Sequence, residues 1–552
     1  MALAVCSTSI RSFAGDIVGQ VTDANTRGYL PGVLVQVTET KRTASTDREG
    51  RFRISGVDEG DYTLRVRYIG YDDVFETVQV PATGIVRTEI VLGTEVIELE
   101  TMVVEGYREA RSMALQQKKS VGNIMDIVSA DSVGSLPDRN IADALARMPG
   151  LSLDVSGGEG RFVTIRGIDP NLNQVTFNGA TMAAPGVNAR EGRSMPLDVV
   201  GSSQISQIEV IKSVTPDMDA NALGGSVNIV SASGFDRKER FIFGSAELGT
   251  HDPAGQKGPG VSDKVSSDSI YSFDITYGDR LGANDNIGLV LSANYSKRHY
   301  QAHDLQANWG TLDGQPYMSA FELLPEDGER ERLGLNMNLE FRPDDNAEFY
   351  VRAIYNEFNE ERAEDEIIFG TGSPTLIAPR VVEFGRVRPE RRTFVEETEQ
   401  TLYNISVGGN RRFGDLTAMA DVTYSFAEEL NPIIASVQFR PRNINMPAGN
   451  RMQIDFSEFY PKITRHADLL EVPETYELRR FREEDSTVEE KTWSPRFDLK
   501  WDFDQLFGGR SGFFKTGVKY TTRDRFVDDN SARPGNGSLT LTDHGAALPG
   551  DG

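Results

Sequence analysis

The sequence predicts a mainly β chain: a small β-sandwich, then a compact α+β unit, then a long antiparallel run that forms part of a barrel. Three observations carry that expectation. Leu333, Leu335, Met337, Leu339 and Phe341 alternate with Gly334, Asn336, Asn338 and Glu340, a period of two that puts the apolar set on one face of a strand. The same grammar recurs in Ile287–Tyr295, Phe349–Tyr355, Tyr403–Val407, Leu416–Phe426, Phe497–Phe503 and Phe514–Tyr520. Helical spacing, by contrast, stands out at Ala142, Leu145 and Met148, where Pro149-Gly150 stops it and Asp138 or Asn140 is the candidate cap.

In chain order, residues 1–14 contain an apolar start, Met1 to Cys6, and Ser12-Phe13-Ala14 before Gly15, which fits the remnant of an export signal or a chance run. Residues 15–93 alternate as short strands, Ile17–Thr22, Val33–Val37, Arg51–Ile54, Tyr62–Tyr68 and Val74–Val80. Tight turns at Asp47–Gly50 and Asp58–Asp61 separate them, the pattern of a small sandwich. Residues 94–120 lose glycine turns and gather charges round the apolar island Met102-Val103-Val104, as expected of a linker carrying a short extended peptide. Residues 121–233 mix the helix with short strands.

Residues 234–552 give about nine strands, counted from Phe241–Leu248. Turns at Pro343–Asn346, Gly414-Asp415 and Gly508-Gly509 are short, whereas Tyr300–Arg330, Asn359–Glu399 and Glu428–Trp493 read as long polar loops. Short turns on one side and long loops on the other are the mark of an outer-membrane barrel, with a soluble sandwich as the competing expectation. No apolar run approaches the roughly 20 residues of a membrane helix, so a membrane-spanning form has to be a closed barrel. Tyr277, Tyr295, Phe341, Trp501 and Tyr520 lie near strand ends, where an interfacial girdle would place them.

Composition removes several function classes. Asp plus Glu number 83 against 58 Lys plus Arg, a net charge of -25 that repels nucleic-acid phosphates. The single cysteine, Cys6, excludes a disulfide framework and a thiolate zinc site. Five histidines, among them His299, His303 and His466, lack a nucleophile's supporting motif, so no catalytic, cofactor or metal site is expected. Gly-x-Gly around Ser156–Gly160 is not followed by a dinucleotide-type helix, and Asp217 with Asp219 reads as a solvated turn rather than a calcium loop.

Several motifs carry a resemblance. Gly19–Asp23, Pro31-Gly-Val33, Thr46–Phe52 and Gly70-Tyr71 resemble the prealbumin-type, carboxypeptidase-regulatory-like domain that precedes many surface receptors. Glu100, Thr101, Met102, Val103, Val104, Glu105 and Gly106 resemble the TonB box of TonB-dependent outer-membrane receptors. An extended β-branched peptide of this kind can add as a strand to a partner's sheet edge. Ala142–Gly150, Val163–Gly167, Val175–Gly179, Ile205–Lys212 and Gly224–Ile229 resemble the plug of the same family in order and spacing. Asp138–Asn140 and Thr215–Ala220 are closest to its Xanthomonas- and Caulobacter-type branch.

The resemblance implies a receptor that takes up a scarce oligosaccharide, siderophore or cobalamin. Its partners would be a TonB protein with ExbB and ExbD energised by the proton gradient, outer-membrane lipid, a carbohydrate or metal-chelate ligand, and a surface lipoprotein. The plug and front domain would face the periplasm of a Gram-negative-type cell. It further implies that Arg166 and Lys212 lock the plug to barrel carboxylates, while Gly167, Asn178, Gly179, Gly224 and Gly225 serve the plug's fold. Lysine at 212 stands where the family commonly has arginine, and it cannot form the planar bidentate fork. Barrels of the plugged class use about 22 strands, so a dozen more are expected beyond Gly552, with the glutamates answering Arg166 and Lys212. A surface adhesin or signalling receptor that binds protein through its sandwich is the alternative.

Overall fold

A computed structural model describes residues 14–532, apart from 25–28, 94–123, 130–139, 185–193, 251–268, 467–474, 506–509 and gaps of one to three residues at 48–49, 69–70, 72, 82–83, 202–204, 238, 442–443, 448 and 459–460. The TonB-box residues 100–106, the candidate cap Asp138 and the turn at Gly508-Gly509 lie outside them.

The front unit is built from β1 (Ala14–Asp23), β2 (Leu34–Val37), β3 (Thr43–Ser45), β4 (Arg51–Asp58), β5 (Gly60–Arg67), β6 (Val74–Val80) and β7 (Ile85–Leu92). A three-stranded sheet, β4-β1-β7, faces a four-stranded sheet, β3-β2-β5-β6. Alternation along each strand turns Ile17, Val21, Val35, Val37, Ile54, Leu64, Val66 and Ile90 into one shared core, as two facing sheets require. The sequence pattern missed β3 and β7; β7 pairs in parallel with β1, a non-local contact that no turn announces.

The second unit contains β8 (Met125–Ser129), a one-turn helix α1 (Ile141–Leu145), β9 (Leu151–Ser156), β10 (Glu159–Ile165), β11 (Asn173–Phe177), β12 (Ala180–Thr181), β13 (Gln207–Ile211) and β14 (Gly225–Val230). β9 and β10 form a hairpin, and the others form a mixed sheet in the order β12-β11-β14-β13-β8. Asn140 is the helix cap: its Oδ1 accepts from the Asp143 backbone N–H at 3.0 Å. The helix stops sooner than the Ala142, Leu145, Met148 spacing suggests, and Met148 reaches the core from the turn that follows.

The remainder is one antiparallel meander. Its strands are β15 (Phe241–Thr250), β16 (Ser269–Leu281), β17 (Ile287–Leu312), β18 (Gln315–Asp344), β19 (Ala347–Ala378), β20 (Val381–Phe413), β21 (Leu416–Pro441), the short β22 (Ile444–Asn445), β23 (Met452–Asp455) and β24 (Lys462–Arg465), then β25 (Tyr476–Gln505), β26 (Arg510–Lys519) and β27 (Thr522–Ala532). Nine strands follow one another along the main path, with β26 and β27 pairing successive stretches of β25.

The sheet is inside out by the standards of a soluble protein. Leu335 is 45% exposed while its neighbour Asn336 is 4% exposed, and the rule continues through Leu333 and Phe341 outward against Asn338 and Glu340 inward. Direct register carries the outward row across strands, from Leu291 to Met337, Ala353 and Ile405. An apolar outer face over a polar lumen suits lipid outside and a wet interior, and it makes this a partial transmembrane barrel. Aromatics bracket the band. Tyr271 meets Tyr295 at 5.9 Å, Tyr403 meets Phe426 at 5.0 Å and Tyr424 meets Trp493 at 4.7 Å toward one edge. Phe341 with Phe349 and Trp501 with Phe503 lie toward the other, at the short turns. Trp493 and Trp501 are eight residues apart, which at ~3.3 Å per residue and the usual tilt spans about 20 Å of the band.

One expectation is overturned. Tyr300–Arg330, Asn359–Glu399 and most of Glu428–Trp493 are not loops: β17 and β18 continue to a two-residue turn at Asp313-Gly314, and β19 and β20 continue to Pro379-Arg380. These segments are polar because they stand beyond the lipid, and cross-strand charge pairs hold them, Arg362 with Glu396 and Arg440 with Glu390 among them. They also have a core of their own. Phe321 stacks on Phe369 at 4.8 Å, and Phe456, brought back beside β20 by β23, meets Phe321 and Phe384 edge-on.

The front sandwich touches the rim made by the short turns. Arg51 pairs with Asp502 and Arg87 with Asp415, each at 3.2 Å, and the Tyr29 hydroxyl donates to the Asp345 carbonyl.

Candidate functional site

The α+β unit sits in the lumen, and its boundary with the barrel is the candidate site. Its apolar core, including Leu145, Phe177, Ile208 and Ile229, is continuous with Ile354, Phe358, Leu402 and Ala427 of the barrel. The polar boundary begins at the β9–β10 hairpin, whose turn is Gly157-Gly158 with φ of 54° and 74°. Two successive left-handed residues form the tight turn that matches strand twist, which explains this Gly-x-Gly without any phosphate. The turn delivers Glu159, 1% exposed, to three barrel arginines.

Arg298, Arg330 and Arg332 all pair with the Glu159 carboxylate, Arg330 through Nη1 at 3.2 Å. Two of the three guanidinium groups have a further hydrogen-bond partner. Arg330 Nε donates to Glu360 at 2.6 Å and its Nη1 to the Ser156 carbonyl at 3.0 Å, while Arg332 Nε donates to the Asp198 carbonyl at 2.7 Å. Tyr300 donates to Glu360 at 2.9 Å and lies under Arg330, its ring centre 4.8 Å away; Arg332 lies 5.0 Å over Phe358. Burial by itself would raise the Glu159 pKa, but the three guanidinium charges outweigh it and hold the carboxyl at about 2. Asp198, buried beside them, is pushed up by desolvation.

A second boundary contact lies on the 215–221 turn. Asp217 pairs with Lys515 at 2.7 Å and Asp219 with Lys519 at 3.1 Å, and Lys519 also reaches the Thr181 hydroxyl at 2.7 Å. Burial opposes ionisation of Asp217, and Lys515 with Thr215 overcomes it to hold the group at about 2. This turn is therefore a docking element. Among the described residues no group of three or more His, Cys, Asp and Glu side chains is placed to hold a metal ion.

Among the described residues, Arg166 and Lys212 make their contacts within the unit itself. Arg166 is exposed with φ of 54°, and its Nη2 donates to the Gly224 carbonyl at 3.0 Å, within the unit itself. Lys212 is buried against Asp126 and the Pro149 carbonyl, tying β8 to the end of the helix turn. The boundary ion pairs among the described residues place the carboxylate on the inner unit and the base on the barrel. Nothing in the local sequence separated an arginine that caps a carbonyl from one that crosses to a distant strand. Glu159 escaped notice because burial of a lone glutamate after a glycine turn depends on arginines 139 to 173 residues away. The one available signal was Arg330-x-Arg332, two cations on the inward side of a strand.

Of the expected fold residues, Gly167, Asn178 and Gly179 take positive φ in turns, and Gly224 and Gly225 lead into β14. Asn178, at φ of 50°, donates to the Ser231 hydroxyl and accepts from the Ser231 backbone. Gly179 takes φ of 83°, Gly167 takes 75°, and a side chain on Gly224 would lie 2.1 Å from Asn173 Oδ1. Gly225, at φ of 149°, passes close to the Ile211 carbonyl.

Residues 117–226, which hold this inner unit, match the family described as TonB-dependent Receptor Plug Domain. The chain carries a TonB-dependent receptor plug. Ahead of it, residues 17–104 match the CarboxypepD_reg-like domain, consistent with the front sandwich. No curated protein matches the chain. Among solved structures, the ferric preacinetobactin receptor from Acinetobacter baumannii is similar at 12% identity, over 75% of this chain and 60% of that one, with a TM-score of 0.32. A ferric enterobactin receptor variant from Pseudomonas aeruginosa is similar at 11% identity, over 73% and 72%, with a TM-score of 0.31. This chain thus spans 60% of the first receptor's length, and the identification rests on the plug match.

Proposed function

We propose that this chain actively imports a scarce ligand of the oligosaccharide, siderophore or cobalamin class into the periplasm. One observation supports the reading most: a plug docked on a polar lumen within a sheet whose outer face is apolar, so passage requires the plug to move. In this reading the ligand enters among the outer hairpins, where Trp309 is exposed near the β17–β18 tip and available to stack on a ring. The segment Glu100–Gly106 then pairs as an added strand with TonB, which transmits work from ExbB and ExbD. The front sandwich faces the periplasm, on the same side as the short turns it touches. Arg166 and Lys212 brace the plug internally, and Glu159 carries the contact to the barrel.

Val103→Pro tests this, because proline removes the backbone donor that strand addition needs. Uptake should disappear with surface expression unchanged; uptake at the original rate would overturn the coupling.

A further inference from the structure

We propose that Arg298, Arg330 and Arg332 form an oxyanion site, and that Glu159 is a tethered occupant which the anionic group of an incoming ligand displaces. The proposal rests on the uptake reading only for its consequence, since the binding itself is a property of the cluster.

Three guanidinium groups converge on one carboxylate, and planar forks of this kind fit carboxylate, phosphate or sulfate oxygens alike. The set keeps donor capacity to spare: Arg330 Nη2 is buried, has no hydrogen-bond partner, and lies 2.6 Å from where a side chain on Gly157 would begin. On the side of the hairpin turn, Gly157 leaves the space beside Arg330 and Tyr300 free of a side chain. Gly158 is exposed and lies next to Arg298, so the route from solvent to the cluster is one residue deep.

Position agrees with such a role. Arg330 pairs with Arg298, and Arg332 with Ser296, one step beyond the Tyr295–Leu333 pair, on the side of the band away from the short turns. An anion arriving from the outer hairpins meets this cluster before it meets the plug's core.

The exchange is conditional by nature. Arg332 is buried and ion-paired with Glu159, and a buried arginine that loses its counter-charge is strongly disfavoured, so Glu159 departs only as another anion takes its place. Departure frees the Ser156–Glu159 tip. That tip is bonded to the helix, where Asp143 accepts from the Gly160 N–H at 2.9 Å and Asn140 donates to the Gly160 carbonyl at 3.2 Å. Occupancy outside is thereby converted into a loosened plug element, before any force is applied to the linker.

The test places an environment-sensitive fluorophore at Val155→Cys, an exposed position beside the tip, in a Cys6→Ser background of the full chain in detergent. Inorganic phosphate and tricarballylate are titrated at constant ionic strength against chloride. Saturable spectral shifts are expected, with half-saturation about tenfold lower in Glu159→Gln and at least tenfold higher in Arg332→Gln, the scale of a charge-assisted hydrogen bond. Glu159→Asp keeps the charge with a shorter reach, and should lower half-saturation by a smaller factor if the glutamine variant does not fold. No saturable response to either probe, or equal half-saturation in wild type and the folded Glu159 variant, overturns the site. Val103→Pro separates the two ideas: it should leave half-saturation unchanged while abolishing uptake, so the site and the coupling fail on different readouts.

Discussion

Replacing Leu291 by arginine reads the environment of the outer face directly. Leu291 is 44% exposed and pairs with Tyr277 on one side and Met337 on the other, within the band bracketed by aromatics. In water, arginine at such an exposed position would change stability by a few tenths of a kcal/mol, as surface substitutions do. In lipid, the same change costs about 2–4 kcal/mol near the midplane of a barrel. Converted at about 1.36 kcal/mol per decade, this is roughly a 30- to 900-fold loss in the folded fraction's equilibrium. Folding into phospholipid vesicles under a urea gradient, followed by the gel-mobility shift between folded and unfolded barrels, measures it. Leu291→Ala serves as the size control. A neutral Leu291→Arg, or one that yields detergent-free soluble protein, would refute the assignment of the apolar face to lipid.

Other expectations follow from the plug. Asn140→Ala removes the helix cap and the bond to the Gly160 carbonyl, and should lower plug stability by about 1–2 kcal/mol in chemical denaturation. Gly157→Val forces a β-branched residue to positive φ against Arg330 and Tyr300, and increased protease cleavage around 155–159 should report the displaced tip. Asp217 has its folded pKa depressed from 3.8 to about 2, so its contribution is fully present above about 4 and is lost as the pH falls through about 2. Asp217→Asn should flatten the pH dependence of plug docking across that window, measured as the release of the 215–221 turn to hydrogen exchange.

The strand grammar was legible where lipid imposes it. Leu333–Phe341 alternates because one face must be apolar and the other polar, and the row could be read without coordinates. Polarity misled beyond the band, where Arg362, Glu364 and Glu366 look like loop residues yet alternate along β19. Outside the bilayer neither face of a strand must be apolar, so periodicity fades while backbone pairing continues. The core at Phe321, Phe369, Phe384 and Phe456 joins hairpins and a flap separated by up to 135 residues, and no local window contains it.

The sequence by itself indicated the order of units, the turns at Pro343–Asn346 and Gly414-Asp415 and a cap at Asp138 or Asn140, since each is set by backbone sterics or by burial pattern within a few residues. Tertiary structure decided which charges cross the boundary. Among the described residues Arg166 contacts Gly224 and Lys212 contacts Asp126, whereas Glu159 meets Arg298, Arg330 and Arg332. A charged side chain's partner is fixed by how distant strands of the sheet pack against the plug, and the energy of the pair depends on the burial that packing creates.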